Sequence, residues 1–254
     1  MDYKYGKVYL AGAGPGDPEL LTLKTKRLID TSDVIIYDHL LSEKILDLIP
    51  KDKEKIYAGK YSGMHILTQD EINKLLIKKA KEGKQILRLK GGDPYIFGRG
   101  GEEVEELINE GIDFEVVPGI TSAIAVPTYA GIPLSYRNIN SMILFITGHE
   151  DPKKKESDID WEFISKFKGT IVILMGVKTL KKNCERLIEY GMNKNTPISV
   201  IENGTTENQR VVFGTLETIA YNCEIKQIKP PSIIVIGDVV NKSKLLSSKK
   251  SKLV

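Results

Sequence analysis

Residues 91–101 read GGDPYIFGRGG, with Glu102 and Glu103 directly after them. Five of these eleven positions are glycine, which gives up side-chain contacts and raises the entropy cost of ordering the chain. Residues 85–89 before the loop alternate toward an apolar strand, and residues 102–109 after it have helical spacing. Open α/β folds bind ligands in such turns, at the carboxyl ends of their strands. We therefore expect a ligand-binding loop here rather than a flexible surface loop.

Strands and helices alternate through residue 130, which predicts a mostly parallel sheet covered by helices on both faces. Near residues 131–133 the regular alternation of strands and helices ends. Residues 210–214 are typical of an antiparallel pair, so the sheet of the second half should be mixed. We predict an α/β fold of two domains, residues 1–138 and 139–241, with a cofactor cleft between them. The expected strands are 7–12, 34–37, 55–58, 85–89, 114–117, 142–147, 170–175, 198–201, 210–214 and 233–237. The expected helices are 22–30, 42–49, 69–81, 102–109, 121–129 and 178–190.

Composition excludes several classes of protein. A net charge of +3 does not call for nucleic acid, and much of the positive excess lies in residues 242–254, which carry five lysines and no acid. Such a basic segment is typical of a disordered tail. The two cysteines, Cys184 and Cys223, lack metal-ligand spacing and indicate reduced thiols, and no metal site is expected. Residues 1–12 have no signal-peptide core and no apolar run reaches membrane length, so we expect a cytoplasmic protein.

A second glycine turn, residues 12–17, follows the first strand but does not fit a dinucleotide site. That fingerprint needs glycine at its first, third and sixth positions, and here the sixth is Asp17. Pro15 also removes a backbone N–H from the segment that would hold pyrophosphate. Asp17 and Asp93 place a carboxylate in each glycine turn, which disfavours an anionic ligand. No GxxxxGK[ST] sequence occurs, so a nucleoside that carries a positive charge suits these turns better than a phosphate.

Longer motifs make the chain similar to a known family. They are VYLAGAGPGDPELLTLKTKRLI at 8–29, VIIYDHLLS at 34–42, LRLKGGDPYIFGRGGEE at 87–103, VVPGITSAIAVPTYAGIPLSYR at 116–137 and FITGH at 145–149, with weaker matches at 173–178 and 201–210. Together they cover nearly the whole chain and resemble the tetrapyrrole (corrin/porphyrin) methyltransferases. The combination of YDxL, GGDPxxFGRGGEE and PGITSA resembles the branch of that family that methylates uroporphyrinogen III.

The resemblance implies an enzyme that uses S-adenosyl-L-methionine as methyl donor. The implied reaction methylates uroporphyrinogen III at two ring carbons, C2 and C7, through precorrin-1 to precorrin-2, and releases S-adenosyl-L-homocysteine. A homodimer is also implied. Whether the product continues to sirohaem, cobalamin or another cofactor stays open. Three alternatives also stay open: a family member that acts on a later corrinoid precursor, a dinucleotide-dependent oxidoreductase and a non-catalytic adenosine-ligand sensor.

The family match also implies the cofactor contacts. The matching positions are Pro15, Gly91, Gly92, Asp93, Ile96, Thr121, Ser122, Met175 and Gly204. Asp93 is expected to be the polar anchor of the cofactor. Without the family match, Met175 would be interpreted as a core methionine, and Thr121 and Ser122 as a helix cap.

The match assigns Asp38 as proton acceptor and Lys60 as proton donor, both after strands. The structural alternatives are that Asp38 caps the helix near residue 42 and that Lys60 is a surface lysine or a carboxylate anchor. Because uroporphyrinogen carries eight carboxylates, Arg99 and Arg137 are candidate substrate contacts.

Lys60 and Lys90 are further candidate cations for the substrate, although Arg88 and Lys90 could instead face out of the sheet. The family pattern is broken at Tyr61 and at residues 135–136, positions that concern substrate handling more than cofactor binding.

Overall fold

The computed structural model of the chain describes residues 5–59, 67–149, 157–246 and 252–253. Within these ranges the chain is an α/β protein with two sheets, as the alternation of strands and helices predicts. It divides into two compact units, of which the first ends at Thr121 and the second begins at Ser122.

The described part of the first unit contains a parallel sheet of five strands in the order β3-β2-β4-β1-β5. Its strands are β1 Val8–Gly12, β2 Val34–Tyr37, β3 Glu54–Tyr57, β4 Ile86–Lys90 and β5 Phe114–Val117. Its helices are α1 Leu23–Thr31, α2 Glu43–Leu46, α3 Gln69–Lys81 and α4 Gly100–Asn109. Each of these elements overlaps one expected from the sequence.

Alternating residues of the strands build two apolar cores. Leu10, Ile36 and Ile86 pack with residues of α3 and α4 on one face. On the other face, strand residues such as Leu87 pack with helix residues such as Ile45. Burial of each such side chain stabilises the fold by about 1.5–3 kcal/mol. Because β4 is central, both faces of this strand are covered, and all five of its residues are buried.

Polar side chains cap the starts of α1 and α3. Thr22 caps α1 by accepting a hydrogen bond from the backbone N–H of Thr25. Thr68 and Glu71 form a capping box at α3, each side chain accepting from the backbone N–H of the other residue. Loss of such a cap costs typically about 1 kcal/mol. The caps therefore fix where the helices start relative to the strand ends.

The described part of the second unit contains a mixed sheet of six strands in the order β11-β9-β8-β10-β7-β6. Its strands are β6 Ile143–Thr147, β7 Thr170–Leu174, β8 Pro197–Glu202, β9 Arg210–Thr215, β10 Ser232–Ile236 and β11 Lys252–Leu253. Its helices are α5 Ser122–Tyr129, α6 Trp161–Ser165, α7 Leu180–Glu189, α8 Ile219–Ile225 and α9 Ser243–Leu246. The β8–β9 pair is antiparallel, as residues 210–214 predict.

The division of the chain comes earlier than residue 138, where the sequence placed it. Helix α5 contributes Ala123 and Val126 to a core that also holds Val172 and Val235 of the second sheet. This apolar helix therefore packs with the second unit, and the change of unit falls before it.

Part of the segment expected to form a disordered tail has secondary structure. Residues Asp238–Lys242 form a 3₁₀ helix, which α9 continues. Strand β11 pairs in parallel with residues 210 and 211 of β9. The side chain of Ser243 donates a hydrogen bond to the carbonyl oxygen of Ala130, which ties this segment to the end of α5.

Both cysteines are buried free thiols, and we predict that they are unreactive in the folded protein. Burial raises the pKa of the Cys184 thiol to about 12 and that of Cys223 to about 11. At pH 8 both should therefore stay protonated and resist alkylation by iodoacetamide. Mass spectrometry should find two alkylated thiols per chain only after unfolding in guanidinium chloride. Rapid labelling of the native protein would contradict the burial of these two side chains on α7 and α8.

Candidate functional site

The loops that carry the predicted site residues of the first unit gather at one edge of its sheet. In a parallel sheet all carboxyl ends lie at the same edge. Pro15 follows β1, Asp38 follows β2, the 91–101 loop follows β4, and Thr121 follows β5 after a short turn. The geometry therefore brings these residues to the edge where ligands of α/β proteins bind.

Three backbone segments touch at this edge, and each does so at a glycine. A methyl group added to Gly12 would lie 2.4 Å from the carbonyl oxygen of Gly92 and 2.5 Å from the Cα atom of Gly119. Gly92 itself has φ 67°, a conformation that favours glycine. The sequence predicts that the glycines of residues 91–101 form a ligand-binding loop. The structure shows that Gly12 and Gly119 are needed first for contact between the loops themselves.

Backbone hydrogen bonds join the first turn to the 91–101 loop. The Ala13 N–H donates to the carbonyl oxygen of Lys90 at 2.7 Å. Gly14 and Gly92 exchange two such bonds, of 3.2 and 2.7 Å. In a dinucleotide fold the N–H groups of this turn would bind pyrophosphate. Here those of Ala13 and Gly14 donate to the neighbouring segment instead. This arrangement disfavours a phosphate ligand more strongly than the sequence pattern does.

Asp93 holds the loop in shape. One carboxylate oxygen accepts hydrogen bonds from the backbone N–H groups of Tyr95 at 2.8 Å and Ile96 at 3.2 Å. The other accepts from the N–H of Gly119 at 3.0 Å. Both oxygens are therefore engaged by backbone groups, so the structure places Asp93 as a clamp between two loops, whereas the family match predicted a direct polar anchor for the cofactor.

The tip of this loop presents apolar side chains to solvent. Tyr95, Ile96 and Phe97 are 54%, 39% and 44% exposed. Phe97 and Arg99 both adopt positive φ, at 52° and 58°, which is costly for residues with a Cβ atom. Strain of this kind and exposed apolar groups together are typical of a binding surface.

Asp38 lies immediately after β2 with its side chain 23% exposed. Its Oδ1 atom accepts a hydrogen bond from the Leu40 N–H at 3.2 Å. The cap of α2 is Ser42, whose hydroxyl accepts from the Ile45 N–H at 3.3 Å, so Asp38 is not needed for that role. The Asp38 carboxylate therefore keeps a side that can meet a ligand. Lys60, the predicted proton donor, lies outside the described residues.

Arg99, a predicted substrate contact, is already paired. Its Nε and Nη2 atoms donate to the two carboxylate oxygens of Glu102 at 2.9 and 2.6 Å. This hydrogen bond raises the pKa of Arg99 and lowers that of Glu102. A substrate carboxylate would thus have to share this guanidinium with Glu102. Arg137, the other predicted contact, is exposed.

Arg88 and Lys90 do not face outward, contrary to one reading of the sequence. Both are buried, 3% and 4% exposed, and both contact the fully buried Glu103 of α4. Lys90 is therefore not placed as a surface cation for a substrate. Sequence reasoning missed this cluster, although two basic residues within an apolar strand and an acid one turn into the next helix were its signal.

The second unit places two more of the predicted residues at one edge of its sheet. Strands β7 and β8 are each antiparallel to β10, so their carboxyl ends lie at the same edge. Met175 follows β7 with φ 55° and a side chain 54% exposed, so it is not a core methionine. Gly204 follows β8 and is buried, and a methyl group added there would lie 2.3 Å from Val126. Ser122, the first residue of α5, is half-buried.

The described residues contain neither a cluster of metal-ligating side chains nor a membrane-spanning helix. In the ranges that the structure describes, His, Cys, Asp and Glu side chains do not gather in groups of three or more that could hold a metal ion. None of the helices within those ranges is both long and apolar enough to span a bilayer.

Comparison with known proteins agrees with the family resemblance. A family model described as tetrapyrrole (corrin/porphyrin) methylases matches residues 7–220. An S-adenosyl-L-methionine-dependent uroporphyrinogen III methyltransferase of Methanosarcina barkeri is 59% identical over 251 residues, which cover 99% of this chain and 98% of the relative. A sirohaem synthase of Nitrosospira multiformis is 50% identical over 236 residues, and the match spans 93% of this chain but only 50% of that protein.

A solved structure has the same fold. It is a uroporphyrin-III C-methyltransferase from Thermus thermophilus, in complex with S-adenosylhomocysteine. The TM-score is 0.80 at 39% sequence identity, and the match covers 93% of this chain and 99% of the other.

Proposed function

The chain belongs to the tetrapyrrole (corrin/porphyrin) methylase family, and on that basis we propose that it is an S-adenosyl-L-methionine-dependent uroporphyrinogen III C-methyltransferase. The reaction places methyl groups on C2 and C7 of the macrocycle and yields precorrin-2 and S-adenosyl-L-homocysteine. The single observation that carries this proposal is the 59% identity, over nearly the full length of both chains, to a relative that bears this activity in its name.

The residues present suit a sulfonium nucleoside. Carboxylates at Asp17 and Asp93 disfavour an anion, and the N–H groups of the first turn are already bonded. The half-buried backbone at Gly91 and Gly92 and the exposed side chain of Ile96 offer polar and apolar surface to a nucleoside. When bound, S-adenosylmethionine supplies an electrophilic methyl group. We also assign Pro15, Thr121 and Ser122 as cofactor-binding residues. Met175 and Gly204 of the second unit are assigned as cofactor-binding residues on the same family match.

We assign Asp38 as the group that accepts the proton lost by the macrocycle. Its Oδ1 is fixed by the Leu40 N–H, which leaves Oδ2 directed away from that bond to receive the proton. Lys60 is assigned as proton donor or carboxylate anchor. Arg99 and Arg137 are assigned to substrate carboxylates, and for Arg99 this requires that Glu102 share or release the guanidinium.

Three further features belong to the proposal and rest on family resemblance. They are precorrin-1 as the singly methylated intermediate, a homodimeric assembly and a cytoplasmic location.

The alternative functions are less well supported. A dinucleotide-dependent oxidoreductase would need free N–H groups in the first turn, and those of Ala13 and Gly14 bond to the neighbouring loop. A methylase of a later corrinoid precursor would share the cofactor site, so only the choice of acceptor separates it from the proposed activity.

In the decisive assay, the pure protein is mixed with uroporphyrinogen III and methyl-labelled S-adenosylmethionine under anaerobic conditions. We expect two labelled methyl groups per macrocycle and a mass that corresponds to precorrin-2. NADH binding, measured in parallel, should be absent. Binding of the methyl donor without methyl transfer to this acceptor would refute the proposed substrate, and a later corrinoid precursor should then be tested.

Asp38→Ala should slow turnover and leave S-adenosylhomocysteine binding near normal. Loss of a proton acceptor typically lowers a rate by about 10²- to 10⁴-fold. Asp52→Ala is a matched control, because Asp52 is an exposed aspartate in the turn before β3, at the opposite edge of the sheet. Turnover of Asp38→Ala at the parent rate would remove Asp38 from the mechanism.

Asp93→Ala should weaken S-adenosylhomocysteine binding strongly, through loss of loop shape rather than of a direct contact. The substitution leaves the N–H groups of Tyr95, Ile96 and Gly119 without their acceptor. Loss of such acceptors costs about 1–3 kcal/mol per group where water cannot replace them. Calorimetry measures the affinity, and Asp52→Ala, at an exposed aspartate on the opposite edge of the sheet, should leave it unchanged. Unchanged affinity in Asp93→Ala would mean that the loop does not shape the cofactor site.

A further inference from the structure

The central strand of the first sheet carries two buried cations on one face. Arg88 and Lys90 are two residues apart on β4, so their side chains leave the same side of the strand as Ile86, toward α3 and α4. Burial is costly for charged groups unless they are paired. Burial, followed by the nearby charge of Arg88, lowers the pKa of Lys90. The position of these charges therefore calls for a physical explanation.

Glu103 of α4 is the common partner. Its Oε1 atom accepts hydrogen bonds from Arg88 Nε at 3.2 Å, Lys90 Nζ at 3.0 Å and Gln69 Nε2 at 3.1 Å. Its side chain is fully buried, and no group in the described ranges donates to Oε2. Glu103 is thus a fixed acceptor, and it holds the Nε edge of Arg88 in one orientation.

The other two nitrogens of the Arg88 guanidinium reach β2 and the backbone of β4. Nη1 donates to the carbonyl oxygens of Ile36 at 3.4 Å and Leu89 at 3.5 Å. Its Nη2 lies 3.7 Å from Oδ2 of Asp38. The last distance is that of an ion pair and is too long for a hydrogen bond. Arg88 therefore places positive charge next to the Asp38 carboxylate without using the lone pairs of Oδ2.

We propose that Arg88 is a positioning residue for Asp38, and that Glu103 orients Arg88 for this task. The inference rests on the proposed function, in which Asp38 accepts a proton from the macrocycle. The Arg88 guanidinium, held 3.7 Å from Oδ2, attracts the Asp38 carboxylate and fixes its position. Glu103 and the Ile36 carbonyl prevent the guanidinium from turning toward Asp38 and bonding Oδ2 directly. Asp38 is thus oriented by the Leu40 N–H at Oδ1, while Oδ2 faces Arg88 at a distance too long for a hydrogen bond.

A second arginine, Arg210, forms an ion pair with a glutamate but does not hold its guanidinium beside a second carboxylate of the described residues. Arg210 donates to Glu202 at 2.5 Å and to the carbonyl oxygen of Lys226 at 3.1 Å. Among the described residues its ion pairing is with Glu202, and no second carboxylate lies at the far edge of its guanidinium. Arg210 is therefore the matched control for a role that is only structural.

A double-mutant cycle tests the proposal in the full-length protein. Arg88→Met should lower kcat for methyl transfer at least tenfold, with KM and S-adenosylhomocysteine affinity changed less than threefold. In an Asp38→Ala background the same substitution should have no further effect on kcat, because the group through which Arg88 acts is already gone. Arg88→Lys keeps the charge but cannot reach both Glu103 and Asp38, so its kcat should lie between those of Arg88→Met and the parent.

Controls separate the possible results. Arg210→Met should leave kcat within threefold of the parent, and circular dichroism should show that every variant is folded. The proposal is overturned if Arg88→Met leaves kcat unchanged, or if it lowers the residual rate of Asp38→Ala by the same factor as it lowers the parent rate. It is also overturned if Asp38→Ala turns over at the parent rate, an outcome in which methyl transfer itself still stands. If the parent protein transfers no methyl group, the proposed function fails instead, and the inference falls with it. Glu103→Gln provides a second route, since it should lower kcat in the same Asp38-dependent way.

Discussion

Contact between bare backbones at Gly12, Gly92 and Gly119 is the constraint on which the ligand edge of the first unit depends. A Cβ atom at Gly12 would come within 2.4 Å of the Gly92 carbonyl oxygen, and one at Gly119 within 2.2 Å of the same atom. Real Cβ atoms do not approach backbone so closely, and backbone cannot move aside as a flexible side chain can. The ends of β1 and β5 can therefore meet the Gly92 backbone only because Gly12 and Gly119 lack side chains, and Gly92 itself has φ 67°. The glycines first allow the loops to pack on each other, and the ligand surface is a consequence of that packing.

The same contact decides which ligand chemistry the edge favours. Once the first turn and the 91–101 loop lie against each other, the N–H groups of Ala13 and Gly14 have backbone acceptors. An anion at this edge would find few free donors and would meet the carboxylates of Asp17 and Asp93. A sulfonium nucleoside meets neither problem. In the sequence, Pro15 and the acidic residues of the two glycine turns already favour a positively charged nucleoside over a phosphate. The hydrogen bonds give this preference a stronger physical basis.

Most of the fold could be predicted from periodicity, because long amphipathic segments and their caps are local. Helix α3 and strand β2 have the predicted bounds. Features that depend on distant partners could not be predicted. The division of the chain before α5 follows from packing against the second sheet, and the burial of Arg88 and Lys90 depends on Glu103, which lies in the next helix. Family motifs predicted Asp93 as a polar anchor of the cofactor, but they could not indicate its three backbone donors, which come from two loops that only the folded chain brings together.

Strand β4 links the two halves of the site in the first unit. Its buried residues Arg88 and Lys90 face Glu103 and Asp38, and its next two residues, Gly91 and Gly92, begin the loop that joins the first turn. Because β4 is central and covered on both faces, it is held more firmly than an edge strand would be. Strand β4 therefore helps to position both the carboxylate that we assign to proton transfer and the loop that we assign to the methyl donor. Methyl transfer requires its reacting groups to be aligned, and well-oriented groups can contribute about 7–11 kcal/mol to lowering a barrier. A buried ion cluster on this strand, costly as a contribution to stability, becomes understandable as a means of fixing that alignment.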